Sequence, residues 1–166
     1  MSLSQMMLHE FDQEMVATRK MLERVPDGNP EWRPHDKSMT LGRLATHVAE
    51  LPHWTGRALV EPGFDVMPGG VRRPPLILAS TTERLALFDQ KAADARATLA
   101  GTSDDTFNES WSFIRGGKPA WTATRYYGYR RMMQNHLIHH RAQLGVYLRQ
   151  LGVPIPGMYG PSADEM

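Results

Sequence analysis

The segment Asn135–Gly152, "NHLIHHRAQLGVYLRQLG", decides the fold and also carries the candidate chemistry. Leu137, Leu144 and Leu148 recur at helical spacing, which at about 100° per residue places them on one side of a helix. Continued upstream, the same pattern predicts a long helix over residues 125–151. Thr124 is its predicted N-cap, because a threonine side chain can accept a hydrogen bond from the first turn. The predicted inner side of this helix consists of Tyr126, Met133, Leu137, His140, Leu144, Leu148 and Leu151.

Three histidines lie on this helix, and the helical wheel separates them. His140 falls inside the apolar stripe, His136 falls on its edge, and His139 points away from it. His136 and His140 are four residues apart, so one face of the helix can present both imidazoles to a single metal ion. The alternative is that buried histidines only form hydrogen bonds within the core. Without a neighbouring acidic residue, the HxxxH spacing is a weaker metal signal than HExxH.

Outward from this segment, apolar periodicity predicts three more helices, over residues 3–25, 41–60 and 81–100. Pro52 lies within the second of them, so a kink or an early break near Leu51 is expected. The caps of these helices are also predicted from sequence: Thr40 before the second, Ser80 with Glu83 as a capping box before the third, and Gly101 after it.

The remaining segments predict connections and one small β-hairpin. Residues 110–124 place aromatic and β-branched residues on both sides of Gly116 and Gly117, a pattern typical of a hairpin. Residues 61–79 are rich in proline and glycine and predict a long irregular connection. Four helices with unequal connections predict an all-α four-helix bundle, with a small β-hairpin before the last helix. The length of 166 residues suits a single domain over residues 1–166.

Composition excludes several classes of function. The chain contains no cysteine, which rules out disulfides, thiolate metal sites and a cysteine nucleophile. We expect a cytoplasmic protein with no membrane association, because no apolar run is long enough for a membrane span. The acidic residues near the N-terminus also do not fit a signal peptide. The formal net charge of +1 argues against a nucleic-acid partner, and we expect none.

A third metal ligand would have to come from another helix of the bundle. His47 lies at the inner edge of the second predicted helix, whereas His53 faces outward on the same wheel. His9 points away from the stripe of the first helix, and His35 lies in a loop. His47 is therefore the histidine that a bundle can bring to face His136 and His140.

Two blocks of the sequence resemble a known family, the DinB/YfiT-like proteins, which are metal-binding four-helix bundles. The blocks are "HDKSMTLGRLATHVAELP" (35–52) and "NHLIHHRAQLGVYLRQLGVPIPGMYGPSADE" (135–165). The resemblance implies that His47, His136 and His140 bind one divalent metal ion, with zinc or nickel favoured. Relatives of this fold include transferases and isomerases that use bacillithiol, mycothiol or glutathione. The resemblance is weaker over residues 61–124.

The hypothesis that follows is a metal-dependent thiol S-transferase that uses a low-molecular-weight thiol and a small-molecule substrate. The alternatives are a metal-dependent hydrolase and a non-catalytic metal-binding bundle with a stress-related binding or structural role. Glu50 lies one turn after His47 on the same flank, where it could orient that imidazole or accept a proton. Glu14 is a weaker candidate for the same role.

Charge is unevenly distributed along the chain, because no acidic residue occurs between Ser110 and Ala163. The basic residues of that region either pair with acidic residues of other helices or attract an anionic substrate. Arg130 is the predicted substrate-binding residue, since it lies at the edge of the stripe, before the histidine pair. The chain also has 11 methionines, which suit adaptable contact surfaces, and we expect a homodimer.

Overall fold

Four helical arms pack as a bundle in the computed structural model, which describes residues 2–166. The first arm is α1 (Leu3–Leu22), which ends three residues before the predicted boundary at residue 25. The third arm is α4 (Thr81–Ala100), with the predicted boundaries and the predicted Ser80–Glu83 capping box. The predicted four-helix bundle is therefore confirmed.

The second arm breaks at Pro52, as predicted. It consists of α2 (Leu41–Glu50), a 3-10 turn (Leu51–His53) and α3 (Trp54–Leu59). Proline has no N–H to donate and its ring crowds the preceding turn, so the regular helix ends just before it. The break separates α2, which carries His47, from α3, which packs against the sheet described below.

The fourth arm contains a π-helical turn that the sequence pattern did not predict. It runs through α6 (Arg125–Tyr129), the π turn (Arg130–Gln134) and α7 (Asn135–Gln150). A π turn holds one extra residue, which rotates the upstream side chains by about 100° relative to a regular helix. Tyr126 was predicted to face inward and is 38% exposed, whereas Tyr129 is fully buried. The prediction for Tyr126 is therefore wrong.

The predicted β-hairpin is present and belongs to a three-stranded sheet. Strands β2 (Ser110–Arg115) and β3 (Lys118–Thr124) pair antiparallel across Gly116 and Gly117, which have φ angles of 61° and 77°. Positive φ at both turn positions favours glycine. A third strand, β1 (Gly63–Asp65), pairs parallel to β2 within the segment predicted to be irregular. A short helix, α5 (Asp104–Asn108), was also not predicted.

The hairpin packs closely on the start of the fourth arm. The indole of Trp111 is completely buried, and its Nε1–H donates to the carbonyl of Arg57 at 2.8 Å. A Cβ atom at Gly128 would lie 2.8 Å from the Trp111 ring, so glycine allows this approach. The sheet therefore packs against α3 and α6.

The tail after α7 folds back over the bundle through polar contacts. The guanidinium of Arg141, which is almost completely buried, donates to the hydroxyl of Tyr159 at 2.8 Å, and Arg149 forms an ion pair with Asp164. None of the helices within residues 2–166 combines the length and the apolar character that crossing a membrane would need.

Candidate metal centre

The structure brings together the three histidines predicted as metal ligands. His47 lies on α2, and His136 and His140 lie on α7, which packs against α2. The Nε2 atom of His136 lies 3.4 Å from Nε2 of His47 and 2.9 Å from Nε2 of His140. Among the described residues, this is the cluster of three or more potential ligands in which one atom from each residue lies within 4.8 Å of the others.

The other histidines lie outside this cluster. His139 is exposed on the far side of α7, as the helical wheel predicted. His53 was predicted to face outward; it is half-buried and its ring contacts the carbonyl of Glu50 through Nδ1 at 2.6 Å. His9 and His35 are exposed. The helical wheel predicted the correct side of the helix for His136 and His140 because both residues follow the π turn. The extra residue of that turn therefore does not rotate them relative to Leu137.

The separations between the ring nitrogens fit a small divalent ion. Zn–N distances of about 2.0–2.1 Å in tetrahedral geometry place two ligand nitrogens about 3.3 Å apart. The observed separations of 3.4 Å and 2.9 Å bracket that value. Because the set contains three imidazoles and no carboxylate, such an ion would keep its double positive charge and at least one free coordination position.

Two of the three imidazoles are oriented by acceptors behind them. Nδ1–H of His140 donates to Oε1 of Gln143 at 2.7 Å, and Nδ1–H of His136 donates to the carbonyl of Met132, within the π turn, at 3.3 Å. In a neutral imidazole with the proton on Nδ1, Nε2 carries a lone pair. The two Nε2 lone pairs therefore face each other at 2.9 Å, an arrangement that a cation between them would stabilise.

Both of these imidazoles are neutral at physiological pH. Burial, together with a smaller contribution from the neighbouring His47, lowers the pKa of His136 to about 4. Burial also lowers the pKa of His140 to about 4, although the hydrogen bond to Gln143 opposes the shift. A neutral ring is the form that binds a metal, so the pair is ready to act as ligands without losing a proton.

His47 has a different environment behind its ring. Nη2 of Arg43 lies 3.2 Å from Nδ1 of His47, and because a guanidinium only donates, Nδ1 is the acceptor and Nε2 carries the proton. Binding a cation through Nε2 would require the proton to move to Nδ1. Oε2 of Glu50, which lies 4.0 Å from Nδ1, is the nearby acceptor for that proton. Glu50 thus lies where it could orient His47.

Glu50 itself is paired with Arg43, whose Nη1 donates to Oε2 at 2.8 Å. Burial raises the pKa of Glu50, but the hydrogen bonds and charges of His47 and Arg43 outweigh it and hold the pKa below its usual range. The carboxylate is therefore ionised at neutral pH. Sequence reasoning missed Arg43, although its spacing of four residues from His47 on a helix would have indicated the contact.

The other candidate residues are engaged elsewhere. Nη1 of Arg130 donates to both carboxylate oxygens of Glu10, at 2.9 Å and 2.7 Å, so its pairing partner is on α1. Glu14 is buried, lies 2.6 Å from Nη2 of Arg141 and accepts a hydrogen bond from Tyr159 at 2.8 Å. The role of Arg130 in substrate binding stays a prediction.

Models of two related protein families match nearly the whole chain. A model of the DinB superfamily matches residues 10–144, a range that includes His47, His136 and His140. A model of the DinB family matches residues 131–166. The uncharacterized protein YrdA of Bacillus subtilis strain 168 is 25% identical over 164 residues, which cover 95% of this chain and 89% of YrdA.

Solved structures share the fold at low sequence identity. A DinB-like protein from Bacillus cereus ATCC 10987 has a TM-score of 0.72 and 21% identity, covering 92% of this chain and 95% of its own. YfiT from Bacillus subtilis has a TM-score of 0.61 and 17% identity, covering 90% and 87%. YfiT is described as a probable metal-dependent hydrolase with an unusual four-helix bundle topology. At these identities the likeness establishes the fold.

Proposed function

The chain belongs to the DinB superfamily, and from this premise we propose that it is a metal-dependent S-transferase that uses a low-molecular-weight thiol. The observation that carries the proposal is the convergence of the Nε2 atoms of His47, His136 and His140. The rings of His136 and His140 are neutral, and each is oriented by a hydrogen bond from its Nδ1–H. The cluster contains no carboxylate. Zinc and nickel are the proposed ions, because both suit imidazole ligands.

A divalent ion bound there would lower the pKa of a coordinating thiol or water and so supply a nucleophile near neutral pH. The protein holds the three imidazoles at the required spacing through α2 and α7. In the transfer, the thiol sulfur bonds to the electrophilic carbon of the substrate, the leaving group departs with its electron pair, and the thiol proton passes to solvent. The protein contains no cysteine, so the thiol is a second substrate.

The environment of Glu50 favours a thiol over water as the nucleophile. A free thiol has a pKa of about 8.5, whereas bulk water has a pKa of about 15.7, so water needs a much larger shift or a general base. Oε2 of Glu50 lies 4.0 Å from Nδ1 of His47, and the contacts of Glu50 with His47 and Arg43 keep its pKa low. It is therefore a weak base, better suited to orienting His47 than to removing a proton from water.

A metal-dependent hydrolase is the second candidate, and the description of YfiT favours it. The two candidates differ in what they consume: a transferase requires a thiol and an electrophile, while a hydrolase requires an ester or amide and water. A non-catalytic metal-binding bundle would bind the ion and turn over neither.

The test is a substrate panel with protein loaded separately with zinc and with nickel. Glutathione, bacillithiol and mycothiol are each combined with a chromogenic aryl halide, and p-nitrophenyl esters are assayed without thiol. We expect thiol-dependent release of halide that is lost in His47→Ala, His136→Ala and His140→Ala. His139→Ala is the matched control and should retain activity, because its ring lies outside the cluster.

Ester hydrolysis without thiol consumption would instead support the hydrolase. Stoichiometric metal binding with no turnover of either substrate class would support the non-catalytic alternative. Loss of metal in His139→Ala would show that the ligand set is wrong.

A further inference from the structure

We propose that the groove beside His47 binds an anionic group of the substrate or thiol, and that Arg72 and Arg73 are its ligands. This inference rests on the proposed function, because it assigns a substrate class to the same site. The groove has a volume of about 340 Å³, which is within the range that holds a small organic molecule. His47 lines one side of it, so a bound molecule would lie against a residue of the histidine cluster.

Four arginines line this groove, and two of them have their charge neutralised. Arg43 pairs with Glu50, and Arg57 pairs with Glu61 while its guanidinium lies over the ring of Phe64. The second acidic residue of the groove, Asp65, accepts hydrogen bonds from the backbone N–H groups of the two turn glycines and of Met67. The acidic side chains of the groove are therefore already engaged.

Arg72 and Arg73 are the arginines of the groove with no pairing partner. Within residues 2–166, neither guanidinium takes part in an ion pair or in a side-chain hydrogen bond of the structure. Both side chains are exposed, so they can reach a ligand without first breaking an internal contact. The groove thus carries an uncompensated positive charge, and it lies beside a site proposed to hold a cation. Both positive charges favour the binding of an anion.

The backbone that carries these two arginines is held at both ends. Upstream, the N–H of Val66 donates to the carbonyl of Ile114 on β2 at 3.0 Å. Downstream, Arg43 donates to the carbonyl of Leu76 at 3.1 Å, and the N–H of Leu78 donates to the hydroxyl of Thr46 at 3.0 Å. Pro74 and Pro75 follow the arginines directly and restrict φ. A restrained backbone lowers the entropy lost on binding.

The lining also indicates the kind of molecule that carries the anion. Trp54, Phe64 and Leu76 supply apolar and aromatic surface next to the arginines. A guanidinium can bind a carboxylate or a phosphate with two parallel hydrogen bonds. The inferred ligand is therefore a small molecule with a carboxylate or phosphate at one end and an apolar portion that packs on the groove.

The experiment measures binding, so it does not depend on turnover. Cobalt(II)-loaded protein is titrated with three thiols of similar size and different charge: 3-mercaptopropionate, 2-mercaptoethanol and cysteamine. Sulfur coordination is followed by the sulfur-to-cobalt charge-transfer band. We expect 3-mercaptopropionate to bind most tightly, and Arg72→Ala/Arg73→Ala to weaken it about tenfold while leaving 2-mercaptoethanol unchanged. Arg24→Ala, at an exposed arginine outside the groove, is the control.

A second titration separates this inference from the proposed function. Metal-free protein is titrated by calorimetry with 3-phenylpropionate, which has a carboxylate and an apolar ring but no thiol. If binding of 3-phenylpropionate weakens in Arg72→Ala/Arg73→Ala, the anion site is supported. If in addition no thiol produces the cobalt band, that second result counts against the proposed transferase and leaves the anion site supported. Competition by acetate or by inorganic phosphate identifies which anion is preferred. Equal binding of all three thiols, or binding of 3-phenylpropionate that is absent or unaffected by the double variant, overturns the inference.

Discussion

At the scale of single residues, His47 is the candidate ligand whose proton must move from Nε2 to Nδ1 before Nε2 can bind a cation. Its Nδ1 accepts from Arg43 at 3.2 Å, and Glu50 lies 4.0 Å away as the acceptor of an Nδ1–H. Groups behind a ligand histidine set its tautomer and orientation, and their loss costs about 10–100-fold in metal affinity. We therefore regard Glu50 as a positioning residue of the candidate metal centre.

The corresponding prediction is that Glu50→Ala lowers zinc affinity by about tenfold or more. Glu50→Gln keeps an amide oxygen that can accept from His47, so it should lose less. Competition with a chromogenic zinc chelator measures both. Gln13→Ala, at an exposed residue of α1 that hydrogen-bonds to His9 and lies outside the histidine cluster, is a control for the assay. Equal affinities in wild type and Glu50→Ala would remove Glu50 from the metal centre.

A second prediction at this scale concerns pH in the metal-free protein. His136 and His140 have pKa values of about 4 in the folded protein, against about 6.5 in an unfolded chain. Between these values the unfolded chain binds protons at both positions and the folded protein does not, so the free energy of unfolding decreases as pH falls from 6.5 towards 4. These groups contribute no pH dependence above that window.

Urea denaturation in EDTA at several pH values from 7.5 to 4.5 measures this dependence. The variant His136→Asn/His140→Asn should lose less stability across the window than wild type, since it lacks the two titrating rings. Both proteins contain the same carboxylates, so the comparison isolates the contribution of the two imidazoles. An identical pH profile for wild type and the double variant would show that the two imidazoles are not protected from protons.

At the scale of secondary-structure elements, capping residues predicted where the helices begin. The elements that the sequence did not predict depend on contacts between residues far apart in the chain. Thr40, Ser80 and Thr124 were predicted as caps, and each side chain accepts from the backbone of the following turn. Strand β1 is three residues long and pairs with a segment far along the chain, so it leaves no local periodicity. Arg72 and Arg73 were not predicted as groove residues for the same reason, because their position depends on contacts between the connection before α4 and helix α2.

The π turn explains why the candidate site was predictable while part of the core was not. It lies upstream of α7, so the wheel drawn from Leu137 remained valid for His136 and His140 and failed for Tyr126. The turn also places the carbonyl of Met132 behind His136. No residue type in Arg130–Gln134 signals an inserted residue, so apolar periodicity alone could not predict the π turn.

The contact between the sheet and α6 gives a prediction for the elements. Gly128→Ala should lower the free energy of unfolding by about 1–3 kcal/mol, because the added Cβ would lie 2.8 Å from the buried Trp111 ring and force the two elements apart. Gly56→Ala, in α3, is the matched control. No atom lies within 4 Å of its Cβ position, so better helix propensity should leave stability unchanged or higher. Urea denaturation of both variants checks this, and a stable Gly128→Ala would contradict it.

At the scale of the whole molecule, folding cancels most of the charge asymmetry seen along the chain. Four arginines of the region 110–163, which has no acidic residue, pair with acidic residues outside that region: Arg125 with Glu109, Arg130 with Glu10, Arg141 with Glu14 and Arg149 with Asp164. The interpretation of this region as a basic helix beside acidic partners therefore accounts for the pattern. Arg72 and Arg73, the groove arginines without partners, lie in the connection before α4 and therefore outside the region 110–163.

The exposed apolar surface gives the last prediction, a homodimer formed through α7 and α1. Val146 and Val16 are 58% and 57% exposed, and Val146 lines an apolar groove of 460 Å³ together with Ile138 and Ala142. Apolar surface exposed on a helix face favours association with a second copy of the chain, which would bury that surface. We expect a dimer mass by light scattering at micromolar concentration. Val146→Lys should shift the protein to monomer, because it places a charge in the proposed interface. Val60→Lys, at a valine 68% exposed at the end of α3, is the matched control and should stay dimeric. A monomeric wild-type protein, or a dimer that Val146→Lys leaves intact, would exclude this face as the interface.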